Sequence, residues 1–233
     1  FSQTYGIKPL YIPNGPGKYA DSNPNFSYVK SLGLEPGKYI LFLGRLVPEK
    51  RPELLISAFQ MLPDTGWKLA LVGGDSDTTE YITRLHQIID GNPDIILPGE
   101  LKGALLAEIV RGAGLFVLPS DLEGLPLVML EAMREGIPVL ASDIPPHQQL
   151  IGRDRGLTFT AGDRADCSQA IAQAIKQPQK LATMARQARE HIQAHYTWEK
   201  IMSDHLALYC GEAMDNYSES SQLANTSLGR IES

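Results

Sequence analysis

Cysteine is scarce in this chain. Cys167 and Cys210 are the two copies among 233 residues, and their spacing suits neither a metal site nor a redox pair. Both fall in helical patterns and read as buried thiols, a usage that matches a reducing, cytoplasmic compartment. The five histidines are scattered, none with zinc-site spacing to a third ligand, so no resident metal is expected. Positive charge is short as well. With 21 Lys and Arg against 27 Asp and Glu, the net charge is −6, which excludes a nucleic-acid binder built on a basic face. Eighteen consecutive apolar residues occur nowhere, so no segment reads as a membrane-spanning helix. No repeat of fixed period is present. Phe1 is not an initiator Met, and the chain is expected to be a piece of a longer protein, cut on its N-terminal side.

What the chain has is a hydrophobic fraction of 43%, gathered into short apolar runs that alternate with helical patterns. Strands are expected at Leu10–Pro13, Tyr39–Leu43, Trp67–Val72, Ile95–Leu97, Leu115–Leu118, Pro138–Ala141 and Leu157–Phe159. Helices are expected at Phe26–Leu32, Pro52–Met61, Thr79–Asp90, Lys102–Arg111 and from Pro126 to near Gly136. Strands of this length between helices imply βαβ units and a doubly wound parallel sheet covered on both faces. Beyond Gly162 the chain turns helical, with patterns at Asp166–Gln177, Lys180–Ala194 and Trp198–Tyr209. One α/β unit is therefore expected over residues 1–212. The polar stretch 213–233 reads as a flexible tail.

In such a sheet, ligands bind beyond the strand C-terminal ends, where the strand order reverses. Two groups of residues stand at those ends. Arg45 and Lys50 follow Tyr39–Leu43. Glu123 and Glu131 belong to Pro119-Ser-Asp-Leu-Glu-Gly-Leu-Pro-Leu-Val-Met-Leu-Glu131, in which a loop leads into a helix. Taken singly, Glu123 is most often a plain loop carboxylate, and Glu131 a solvated helix residue weakly paired with Arg134. Arg45 and Lys50 alone read as a charged loop. Together they form the set a sugar nucleotide needs. Cations and the free N–H groups of a helix N-terminus hold its diphosphate, and carboxylates accept from its hydroxyls.

These residues carry a resemblance. Pro119-Ser-x-x-Glu-Gly-x-Pro-Leu-x-x-x-Glu-Ala-Met133 and Gly44-Arg-Leu-Val-Pro-Glu-Lys50 resemble the C-terminal half of the group 1, or family 4, retaining glycosyltransferases of the GT-B fold. Ser142-Asp-Ile-Pro-Pro-His147 and Tyr196-Thr-Trp-Glu199 fit the same pattern, which runs from Ile12-Pro-Asn-Gly15 to Trp198-Glu-Lys-Ile201. The resemblance implies a Rossmann-like domain that binds a nucleotide-diphosphate-sugar as donor substrate. Arg45 and Lys50 would contact the diphosphate and neutralise the leaving group. Glu131 would bond the ribose. Glu123 would lie near the donor sugar, with the Gly124, Leu125 and Leu127 backbone beside sugar and phosphate. Gly99 and Leu101 would flank the base. Transfer would retain anomeric configuration without a metal or other cofactor, the two cations standing in its place.

The family often has Asn-Gly-Val-Asp where this chain has Asn14-Gly-Pro-Gly17, and Glu where Gln149 stands. Its N-terminal domain, which binds the acceptor and closes the cleft, is not recognisable here, so the isolated chain is expected to be inactive. The Trp198–Tyr209 helix, which normally crosses to that domain, is expected to pack differently or to expose an apolar patch. The acceptor is left open (saccharide, lipid-linked or other), with a place at the inner membrane face compatible with a lipid-linked one. The alternative reading is a stand-alone nucleotide-binding or partner-docking module without catalysis. An epimerase of similar fold is disfavoured by the paired glutamates together with Arg45 and Lys50.

Overall fold

A computed structural model describes residues 11–74 and 79–210. The strands are β1 (Tyr39–Leu43), β2 (Lys68–Val72), β3 (Ile95–Gly99), β4 (Leu115–Leu118), β5 (Val139–Ser142) and β6 (Leu157–Phe159). They form one sheet in the order β3-β2-β1-β4-β5-β6, and every pairing is parallel. The expected α/β doubly wound architecture is therefore present. Strands β4 and β5 are buried at every position, and β1 and β2 at all but one. That explains why these runs are continuously apolar rather than alternating. Pro98 sits within β3, where an edge position tolerates its missing N–H.

The helices are α1 (Ser27–Ser31), α2 (Pro52–Gln60), α3 (Thr79–Ile89), α4 (Gly103–Arg111), α5 (Leu127–Glu135), α6 (Pro145–Ile151), α7 (Arg164–Ile175), α8 (Pro178–His195) and α9 (Trp198–Cys210). Helix α2 packs on α3 and α7. Helices α4 and α5 pack on each other, α4 also on α1 and α5 on α8. Two helical layers thus cover the sheet. Helix α7 begins two residues before the expected start because the Asp163 side chain accepts from the Ala165 and Asp166 N–H groups at 2.8 and 3.1 Å. Pro178 opens α8 at its first turn, where a missing N–H costs nothing.

Four sequence expectations are corrected. The strand expected at Leu10–Pro13 is absent over its described part, residues 11–13. Tyr11 is 57% exposed, and Pro13 brings no N–H to a ladder; Leu10 lies outside the described residues. Helix α6 has no counterpart among the expected helices, yet its two prolines are well placed in a first helical turn. Pro126 stands as the N-cap of α5, one residue before the helix proper. Cys167 is buried and its thiol is pushed up to about 12 by burial, but Cys210 is exposed, because it lies on the outward side of α9. The polar tail expected at 213–233 lies outside the described residues.

The apolar patch expected on the last helix is present. Trp198, Met202, Leu206 and Tyr209 are exposed large side chains spaced four, four and three apart, along one face of α9. No helix among the described residues is long and apolar enough to cross a membrane.

The sheet order places the switch point between β1 and β4. From β1 the chain moves outward to β2 and β3, then crosses back to lay β4 on the other side of β1. Loops leaving β1 and β4 therefore diverge and open a crevice.

Candidate active site

The crevice is built from the loop after β1 and the loop after β4. It has a volume of about 250 Å³ and is lined by Leu43, Gly44, Arg45, Lys50, Glu123, Leu125, Pro126, Leu127 and Val128. The β1 loop ends in a 3-10 turn, Pro48–Lys50, followed by Arg51 at φ 53°. That left-handed residue turns the chain sharply into α2. The β4 loop carries Ser120 to Pro126 and delivers the N-terminus of α5 to the crevice, where Leu127 and Val128 form its wall.

Three bonds tie the two loops together. The Asp121 N–H donates to the Glu49 carbonyl at 3.0 Å. The Arg51 guanidinium donates to the Asp121 carboxylate at 2.7 Å. The Lys50 ammonium donates to Glu123 Oε1 at 2.5 Å, in a pair whose side chains are 18% and 6% exposed. Glu123 Oε1 also accepts from the Ser120 hydroxyl at 2.8 Å. Lys50 and Glu123 are thus one part-buried unit. Arg45 differs: its side chain is 71% exposed, and its ion-pair partner among the described residues is Glu49 at 3.6 Å. It stands at the crevice mouth with its donors available.

Arg45, Lys50, Glu123, Leu125 and Leu127 are thus brought together as the sequence suggested. Gly124, Glu131, Gly99 and Leu101 are not among the lining residues. Gly124 lies in the same loop, one residue from Glu123. Gly99 ends β3, two strand steps from β1 and so roughly 10 Å along the sheet, and Leu101 follows it. Glu131 lies on α5 and is not paired with Arg134. Its Oε1 accepts from the Gly17 N–H at 3.0 Å and its Oε2 from the Tyr19 hydroxyl at 2.9 Å. Arg134 turns instead to Glu135 at 3.2 Å and to the Pro16 carbonyl. Each carboxylate oxygen keeps a second lone pair. Gly17, where the family pattern often has Asp, lies against Glu131 in this chain. A Cβ there would come within 2.7 Å of Glu131 Oε1, so an Asp in its place would press against a like charge.

Sequence reasoning gave no role to Gly17, Tyr19, Arg51, Asp121, Ser120, Ser142 or His147 at the site. The signals available for the serines were their place at the ends of two strands and in the motifs that carry the resemblance, neither of which says what their hydroxyls hold. Among the described residues no cluster of three His, Cys, Asp or Glu suits a metal ion. The sequence does contain one Asp-x-Asp tripeptide, Asp75-Ser76-Asp77, outside the described residues. The expectation of a metal-free transfer therefore rests on Arg45 and Lys50 alone.

Comparison with known proteins gives the same assignment. The family model described as glycosyl transferases, group 1, matches residues 27–191. A D-inositol 3-phosphate glycosyltransferase of Gordonia bronchialis is 31% identical over 80% of this chain and 43% of its own length. The fold is shared with sucrose-phosphate synthase from Thermosynechococcus elongatus, at TM-score 0.74 and 27% identity, over 86% of this chain and 51% of that one. It is shared too with Anabaena HepE in complex with UDP-glucose, at TM-score 0.74 and 24% identity, over 82% and 54%. The chain spans about half the length of these proteins or less. By the match of its family model over most of its length, the chain belongs to the group 1 glycosyltransferases.

Proposed function

We propose that this chain is the donor-binding half of a glycosyltransferase of family 4 that moves a sugar from a nucleotide-diphosphate-sugar to an acceptor with retention of configuration. The observation that carries this reading is the crevice at the switch point, where Arg45 and the Lys50–Glu123 pair meet the N-terminus of α5. Arg45, exposed and weakly engaged, takes the diphosphate through its planar fork. The unpaired N–H groups that open α5 face the same anion. Lys50 has three donors. One is spent on Glu123, and the others are free to meet the departing diphosphate and offset the charge that develops on it. Glu123, next to that ammonium, accepts from the donor sugar and needs no covalent role. Glu131 keeps lone pairs for the ribose hydroxyls. The base lies toward Gly99 and Leu101 and is held through backbone groups. Anabaena HepE, which shares this fold, has been crystallised in complex with UDP-glucose, which agrees with a uridine donor here.

The acceptor site belongs to a further domain of the same protein, N-terminal to this one, which also closes the cleft. Two observations favour that arrangement. The chain spans 43% of the length of a curated relative, and α9 exposes an apolar face of Trp198, Met202, Leu206 and Tyr209 that a neighbouring domain would cover. Without it the crevice is half built, and the chain alone binds nucleotide weakly and transfers almost nothing. The expected compartment is the cytoplasm. Binding of UDP, GDP and ADP to the chain, measured by calorimetry with and without a chelator, tests the proposal. One nucleotide is expected to bind best, chelator or not, and more weakly to Glu131→Ala. Equal binding of Glu131→Ala would remove Glu131 from the site, and loss of binding with the chelator would overturn the metal-free reading.

A further inference from the structure

His147 is fully buried in the first turn of α6, and the site chemistry described so far leaves it unused. Its Nδ1 lies 3.0 Å from the Ser142 hydroxyl oxygen and 3.0 Å from the Ser142 carbonyl. The Ser142 hydroxyl has a single proton, and it donates that proton to the Ser120 carbonyl at 2.5 Å. Toward His147 the hydroxyl is therefore an acceptor, as is the carbonyl. Two acceptors on Nδ1 require that Nδ1 carry the proton. Burial pushes the imidazole pKa down, opposed by the Ser142 carbonyl and Glu123, with Lys50 lowering it further, so the ring is neutral and Nε2 is bare. Nε2 is buried and has no hydrogen-bond partner. A buried acceptor without a donor is uncommon.

The Nδ1 proton holds the Ser142 hydroxyl, and that hydroxyl continues the sheet where its ladder stops. The last β4–β5 pair is Leu118 with Ala141. Beyond it β5 supplies Ser142, and β4 gives way to the irregular Ser120–Gly124 loop. The Ser142 side chain bridges the gap to the Ser120 carbonyl. Ser120 in turn gives its hydroxyl to Glu123 Oε1, which also holds Lys50. Two hydrogen-bonded segments, joined covalently through Ser120, thus run from the buried ring to the ion pair in the crevice.

We infer that His147 is a positioning residue for the transfer: through Ser142 and Ser120 it holds Glu123 and Lys50 at the geometry that meets the donor. The inference rests on the reading of the crevice as the donor site. Asn places a donor where Nδ1 stands, and Gln places one where Nε2 stands. The test compares His147→Asn, His147→Gln and Ser142→Ala, each confirmed as folded by its circular dichroism melt. In the unsubstituted chain, ¹⁵N NMR is expected to show Nδ1 protonated and Nε2 bare. The Asp121 amide, whose bond to Glu49 reports on the loop, is expected to exchange about tenfold faster in His147→Gln and Ser142→Ala, the effect of one lost hydrogen bond, and near the original rate in His147→Asn. UDP affinity is expected to fall in the same two variants and to be restored by Asn. An Nε2-protonated ring, or unchanged Asp121 exchange in His147→Gln and Ser142→Ala, overturns the inference. If the exchange pattern holds while UDP binds none of the proteins, the loop positioning stands and the donor reading falls.

Discussion

Lys50→Met and Glu123→Gln, made singly and together, probe the ion pair on which the crevice is built. At an N–O distance of 2.5 Å and an effective dielectric constant near 20, the attraction amounts to about 7 kcal/mol. Desolvating two ions takes back about several kcal/mol each, so the pair as a whole is worth little more than an uncharged replacement. Removing one partner is different, because the other charge stays where water barely reaches. Glu123 is 6% exposed and among the described residues keeps the Ser120 hydroxyl alone, whereas Lys50, at 18%, reaches solvent with a small shift. Lys50→Met is therefore the costlier single change. Both singles are expected to lose about 2–4 kcal/mol, which in a chain of this size lowers Tm by about 4–16 °C. Gln keeps an acceptor for Ser120, so the double variant removes both charges without orphaning that hydroxyl. It is expected to be more stable than Lys50→Met, with a coupling of at least about 2 kcal/mol. Urea unfolding of the four proteins measures this cycle. Singles within about 0.5 kcal/mol of the original, as for ordinary surface changes, or a double equal to their sum, would refute the reasoning.

Three further outcomes follow from named contacts. Gly73→Ala puts a Cβ 1.9 Å from the Gly44 carbonyl oxygen, where backbone must move, and is expected to cost at least about 3 kcal/mol by urea unfolding. Tyr19→Phe removes a bond to Glu131 Oε2; it is expected to cost about 1 kcal/mol of stability and to loosen nucleotide binding, as an isothermal titration would show. His191 is pushed down to about 4 by burial, with Arg155 and His195 adding to the effect and Asp154 opposing it. Between pH 6.5 and 4 the unfolded chain takes up the proton that the folded one refuses, so stability is full above that window and falls as pH drops through it. His191→Gln is expected to flatten that slope in melts run across the window, though partial exposure keeps the effect modest.

The sequence made the sheet legible because a buried parallel strand must be apolar throughout, and Tyr39–Leu43 and Leu115–Leu118 are. Once those runs are parallel neighbours, Arg45, Lys50 and Glu123 are bound to share an edge, and they do. Helical spacing predicted a weak Glu131–Arg134 pair, but residues more than a hundred positions away, Gly17 and Tyr19, hold Glu131 instead. Contacts of that range leave no local pattern. Helix α6 stayed hidden because Pro145-Pro146 suits a turn as well as a helix start. The part His147 plays depends on which hydroxyl proton goes where, a question that arises only after β5 has been placed beside β4.

The central claim, a crevice that holds a nucleoside diphosphate through Arg45, is tested most directly by titrating UDP and UMP into the chain and into Arg45→Ala. The account predicts that UDP binds about tenfold or more tightly than UMP, the effect of one forked contact to the second phosphate, and that Arg45→Ala removes most of this difference. Equal binding of the two nucleotides, or an undiminished preference for UDP in Arg45→Ala, would contradict it.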